Sequence, residues 1–153
     1  IYRAFNNRCF DRFGLGLIPI AGRPVLQKGR QGTRRLVRHV EQGGFVLILV
    51  DQRTTGAPLI DFLGHPAETA TTAARLALKT GAALILVRAT RDAEARRFEV
   101  EFEPPVTGDD PQAIMGQVNR RIGAWIEERP EQWFWFHRRW RRNARSRPVS
   151  GVG

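Results

Sequence analysis

Cysteine is almost absent from this sequence. Cys9 is the only one in 153 residues, so no disulfide can close within the chain and no Cys-x-x-Cys pair exists for zinc or redox chemistry. A lone cysteine reads as a small buried hydrophobe and is compatible with a reducing compartment. Long apolar runs are also missing. No stretch approaches the roughly 18 apolar residues that cross a bilayer. Acid is scarce, with 15 Asp and Glu against 25 Lys and Arg, a formal net charge of +10. That balance points to an anionic partner. At 42% hydrophobic residues the chain is nevertheless too apolar for a disordered polybasic tail. There is no phosphate-binding P-loop, no His-Glu-x-x-His and no Gly-x-Ser-x-Gly, and nothing calls for a metal or a cofactor. The chain opens at Ile1 without a charged and then apolar leader, in residues that read as mid-domain. The expectation is therefore a piece of a longer protein.

The residues that are present read as one α/β domain. Pro19, Gly22 and Pro24 break the first 29 residues into short elements. Residues 31–42 have a helical period, with Leu36, Val37 and Val40 on the apolar side and Arg34, Arg35, Arg38, His39 and Glu41 in water. Gly43 and Gly44 stop it. "FVLILV" (45–50) predicts a strand buried on both faces, as in parallel sheets. "DQRTTGAP" follows as a loop at its carboxyl end, then "LIDFLG" (59–64) as a short strand. His65 falls in the turn "GHPAET". Residues 68–80 predict a small-residue helix ending at Gly81, 82–89 a second buried strand, and 96–103 an edge strand with one wet face. Asp109 or Asp110 can cap a helix over 109–130, with Pro111 in its first turn and Ile114, Val118, Ile122 and Ile126 on one side. The Arg-, Ser- and Pro-rich residues 143–153 read as a basic, disordered tail.

Asp51 and Gln52 are the best site candidates on chemical grounds. Ligands of open α/β sheets bind beyond the carboxyl ends of strands, and a carboxylate directly after a buried run is rigidly held there. A turn-making aspartate is the simpler alternative. Arg3 can fork onto a phosphate or a carboxylate. "PEQWFWFHRRWRR" (130–142) sets four aromatics in a row before an arginine cluster. Consecutive helical residues point about 100° apart, so these rings cannot form one base-stacking platform. The run is expected to pack part of its aromatic face inward. Trp135, Arg138, Arg139, Arg141 and Arg142 are left for an anionic membrane surface.

The pattern resembles the late acyltransferases of bacterial lipid A biosynthesis, the lauroyl/myristoyl acyltransferase family. Four segments carry the resemblance in order: "IYRAFNN", "GGFVLILVDQ", "DFLGHPAETATTAARLALKTGAALILV" and "RPEQWFWFHRRWR". It implies a central mixed β-sheet flanked by helices, like that of the glycerol-phosphate acyltransferases. Residues 1–142 would be the C-terminal part of such a domain. It also implies acyl transfer from acyl carrier protein to a hydroxyl of a lipid A precursor at the cytoplasmic face of the inner membrane, with an anchor in the missing N-terminal part. Both partners are acidic, which suits the basic chain. The family's catalytic pair is His-x-x-x-x-Asp/Glu. Here His39 is followed five residues on by Gly44, His65 by Ala70 and His137 by Arg142. No dyad exists in the chain. It is expected before Ile1, leaving Arg3, Asp51 and Gln52 as substrate or oxyanion support. Other readings are an acyltransferase of the same superfamily acting on another glycolipid or a glycerophospholipid, a non-catalytic remnant, and a basic nucleic-acid-binding module. The clustered aromatics argue against the last, and no nucleic acid is expected.

Overall fold

The structure, a computed structural model, describes residues 29–92, 94 and 96–140 together with positions 7, 9, 13 and 26. The chain divides into two compact units, Ile1–Ile48 and Leu49–Gly153.

In the first unit, α1 (Arg30–Glu41) forms where the period predicts it. Leu36 is buried at 3% exposure, and Gly32, one turn before it, is buried too. Arg38 and His39 stand in the last turn, where the helix dipole favours cations. Gly43 ends the helix with φ 83°, in the left-handed region a side chain avoids. Two expectations change here. Cys9 is exposed rather than buried. Residues 45–50 form no regular element and pair with no strand among the described residues. Phe45 and Leu47 are 92% and 75% exposed. β-Branched residues favour an extended backbone, but burial on two faces requires neighbours that local sequence cannot specify.

Among its described residues, the second unit carries two antiparallel hairpins and two α-helices. β1 (Leu59–Phe62) pairs with β2 (His65–Glu68) in the register Leu59↔Glu68 to Phe62↔His65. Their two-residue turn, Leu63-Gly64, has positive φ at both positions, as the hairpin twist requires. Leu63 tolerates φ 53° because its side chain rests on Gly123, where an added Cβ would stand 3.2 Å from Leu63 Cδ2. His65 is thus a strand residue and not part of a turn. α2 (Thr72–Thr80) begins four residues later than its pattern predicts, because Glu68 is taken by β2 and Thr69 bridges Arg53. It ends at left-handed Gly81, as expected.

β3 (Val87–Asp92) pairs with β4 (Arg97–Phe102). The strand expected at 82–89 therefore starts later, and residues 82–86 join only through a bridge between Leu84 and Val106. It is also not buried on both faces, since Leu86 is 6% exposed while Ile85 and Val87 are 45% and 38%. β4 lies at the expected place, but both its faces are exposed. The two hairpins form separate two-stranded sheets, so among the described residues no single central mixed sheet is assembled.

α3 (Pro111–Glu128) is the spine of this unit. Asp110 accepts the Ala113 N–H at 2.7 Å and Pro111 occupies the first turn, an arrangement that removes two orphan donors. Ile114, Val118, Ile122 and Ile126 are all buried, with Met115 beside them. α3 packs on β1 and on α2. Arg88 of β3 bonds Glu101 and Glu128 and lies 5.6 Å from the Trp125 ring. The Arg88 bond, with its charge, holds Glu128 below the usual carboxylate range. A 3-10 turn, Pro130–Gln132, follows.

Candidate functional site

Arg139 organises this region. It was expected at a membrane surface, but it is fully buried at 0% exposure and cannot reach a head group. Its Nη1 donates to the Glu68 carbonyl at 2.8 Å and its Nη2 to Thr69 Oγ1 at 2.7 Å. Its plane lies 4.7 Å over the Phe62 ring. Asn119 of α3 donates to Thr69 Oγ1 and to the Asp61 carbonyl. Thr69 Oγ1 in turn donates to the Ala67 carbonyl at 3.0 Å. That hydroxyl thus uses its one proton and both lone pairs. Burial pushes the Arg139 guanidinium down from its ordinary value, and the Asp51 carboxylate partly offsets this. Asp51 therefore lies within electrostatic reach of a buried cation.

The loop after Asp51 is tied to the same core. Glu68, 2% exposed, accepts the Gly56 N–H on Oε1 at 2.8 Å and has Arg53 Nε 3.7 Å from Oε2. His137 Nε2 accepts the Arg53 N–H at 2.9 Å. An accepting Nε2 places the ring's proton on Nδ1. Arg53 also bridges Thr69, and Thr54 N–H reaches the Glu68 carbonyl at 3.3 Å. Residues 53–56 are thus held by the end of β2 and by His137, 84 residues beyond Arg53.

The aromatic run divides. Trp133 and Trp140 turn inward, with ring centroids 5.8 and 5.6 Å from Phe62. Trp140 Nε1 donates to the Phe62 carbonyl, and its ring meets His65 edge-on. Phe134, Trp135 and Phe136 face out at 66%, 53% and 91% exposure, with Arg138 exposed beside them. This is a tight turn, with Trp135 Nε1 donating back to the Pro130 carbonyl.

Of the sequence candidates, Asp51 is half-buried near Arg139 and Gln52 is exposed. Arg3, Arg141 and Arg142 and the tail 143–153 lie outside the described residues. Glu68, Thr69, Asn119, His137 and Arg139 were missed as a group. One signal was available: a glutamate inside the small, apolar segment "PAETA" is an acid that needs a buried partner. Nothing in the sequence said which of 25 cations it would be.

Fold and site together define an α/β domain in which the loop after Asp51 is tied to Glu68 and His137, and a buried arginine bonds the Glu68 carbonyl. The motif that supplies the arginine also presents aromatics outward. The chain belongs to the bacterial lipid A biosynthesis acyltransferase family, whose model matches residues 11–142. It is thus an acyltransferase-family domain, acting in lipid A biosynthesis. No curated protein matches the chain.

Proposed function

We propose that the protein carrying this chain moves a fatty acyl group from acyl carrier protein to a hydroxyl of a lipid A precursor, at the cytoplasmic face of the bacterial inner membrane. In this reaction the acceptor oxygen attacks the thioester carbonyl, a base takes its proton, and the carbon–sulfur bond breaks to release the carrier thiol. The base and its carboxylate belong to the His-x-x-x-x-Asp/Glu pair. None of His39, His65 and His137 has an acid at that spacing, and this reading takes the pair from outside these 153 residues. It would stand on a glycerol-phosphate-acyltransferase-like central sheet, in which residues 45–50 gain neighbours.

In this reading the chain contributes the acceptor side of the site. Asp51 and Gln52 support the substrate or the oxyanion region, together with Arg3. Trp135, Arg138, Arg141 and Arg142 lie toward anionic lipid, without Arg139, which is buried. The observation that carries the reading is the docking of the Asp51 loop by the segment that completes the family match, through His137 to Arg53. The test is direct. The 153-residue chain alone, given acyl carrier protein thioester and a lipid A precursor, forms no product, while the full-length protein does. Product from the chain alone above a heat-inactivated control would show that the base does not lie outside these residues.

A further inference from the structure

α1 carries four arginines, Arg30, Arg34, Arg35 and Arg38, against a single acid, Glu41. Among the described residues, none of the four makes an ion pair or a side-chain hydrogen bond. In the second unit four arginines, Arg53, Arg88, Arg97 and Arg121, each meet a carboxylate, while others such as Arg75 and Arg120 likewise form no ion pair among the described residues. Unneutralised guanidinium groups on one helix repel one another, and a bound anion relieves that repulsion.

The anion would have a place of definite size. Arg35, Arg38, His39 and Gln42 recur at spacings of three, four and seven, so they share one helix face. With Leu26 they line an open hollow of about 190 Å³. Leu26 is buried at 4% exposure. His39 is held in place, since its Nε2 lies 3.3 Å from the Phe45 carbonyl and its ring lies against the bare backbone of Gly44. A Cβ on Gly44 would stand 2.4 Å from ring atoms, so any side chain there would push the imidazole away. When Nε2 donates to that carbonyl, Nδ1 is left for a ligand, to accept from a P–OH group or, when protonated, to donate to a phosphate oxygen.

We infer that this face of α1 is a binding site for a phosphate monoester. Two guanidinium forks, an imidazole and a carboxamide can surround one tetrahedral dianion, and arginine forks match phosphate oxygens in pairs. The hollow is too small for the acidic face of a protein. The negative end of the helix dipole lies in the same turn, but its half charge is outweighed by two whole cations. The inference goes beyond the acyl-transfer reading and does not depend on it. Binding without any acyl transfer in the full-length protein leaves the site standing. Transfer without binding removes the site and leaves the reaction.

The test uses the whole chain and two phosphate sources. Inorganic phosphate and glucose 1-phosphate are titrated while the amide and side-chain signals of residues 35–42 are followed by NMR, with sulfate at matched ionic strength as the comparison. Vesicles with phosphatidic acid, a monoester head group, are compared with phosphatidylglycerol vesicles, a diester, of equal surface charge. The site predicts saturable shifts from a monoester and a preference over its control. Arg35→Gln and Arg38→Gln each weaken this by about tenfold, the loss of one charge-assisted pair. Arg97→Gln leaves it unchanged. If Arg35→Gln does not fold, Arg35→Lys replaces it, keeping the charge and losing the fork. A response to soluble phosphate alone assigns the site to a free phosphorylated ligand, and a response to phosphatidic acid alone assigns it to a lipid head group. No saturable response to either, an equal response to sulfate, or an unchanged response in the arginine variants overturns the inference.

Discussion

At the scale of single residues, Arg139 bears the most structural weight. Its buried charge is compensated by the Glu68 carbonyl, Thr69 Oγ1, the Phe62 ring and the field of Asp51. Glu68 shares the core but is bonded mainly to Gly56 and Arg53. Removing one member of such a network is costly because the others stay buried. Arg139→Met is therefore expected to lower unfolding stability by roughly 2–4 kcal/mol in urea titrations. Arg53→Met, at a half-exposed site, should cost about 1 kcal/mol or less. The Arg139 change should also speed hydrogen exchange at the Arg53 and Gly56 amides, which dock on the same core. Equal stability losses for the two variants would show that Arg139 is not the keystone.

At the scale of elements, α3 and the terminal aromatic turn use apolar residues for opposite ends. The buried stripe of α3 fills the space against β1 and α2, and truncating it leaves a cavity. Ile122→Ala should cost about 2–4 kcal/mol. Phe136 is larger but 91% exposed, so Phe136→Ala should change stability by less than about 0.5 kcal/mol. Thermal or urea unfolding of the two variants checks this, and comparable losses would mean that the turn is packed in solution. The same contrast shows what periodicity can reveal. Ile114, Val118, Ile122 and Ile126 announce a helix and its buried side together. In "WFWF" every position is aromatic, so no period separates Trp133, which turns in, from Phe134, which turns out.

At the scale of the whole molecule, the charge of +10 sets long-range behaviour. If the exposed turn and Arg138 meet an anionic bilayer, each arginine contributes about 1 kcal/mol near the surface. Salt screens this over a Debye length of about 8–10 Å. Replacing Arg138, Arg141 and Arg142 by glutamine should weaken co-sedimentation with phosphatidylglycerol vesicles and leave neutral vesicles unaffected. Raising the salt should reduce binding of the native chain. Binding that is indifferent to both would leave the turn without a membrane role.

The sequence by itself determined the α/β class, α1, the Gly81 stop of α2, and α3 with its cap and buried stripe. These depend on interactions within a few residues: a period, a capping carboxylate, a glycine that accepts positive φ. It also carried the segments of the family resemblance, three of which lie within the matched residues 11–142. Tertiary structure alone decided that residues 45–50 pair with no strand among the described residues and that β3 starts five residues late. It also chose which arginine enters the core. Strand pairing and burial depend on partners distant in sequence, and the 25 cations are chemically near-equivalent until the chain folds. Arg139 rather than Arg138 is buried because the Pro130–Gln132 turn and the docking of Trp133 and Trp140 on Phe62 orient the segment so that only Arg139 meets Glu68, Thr69 and Asn119.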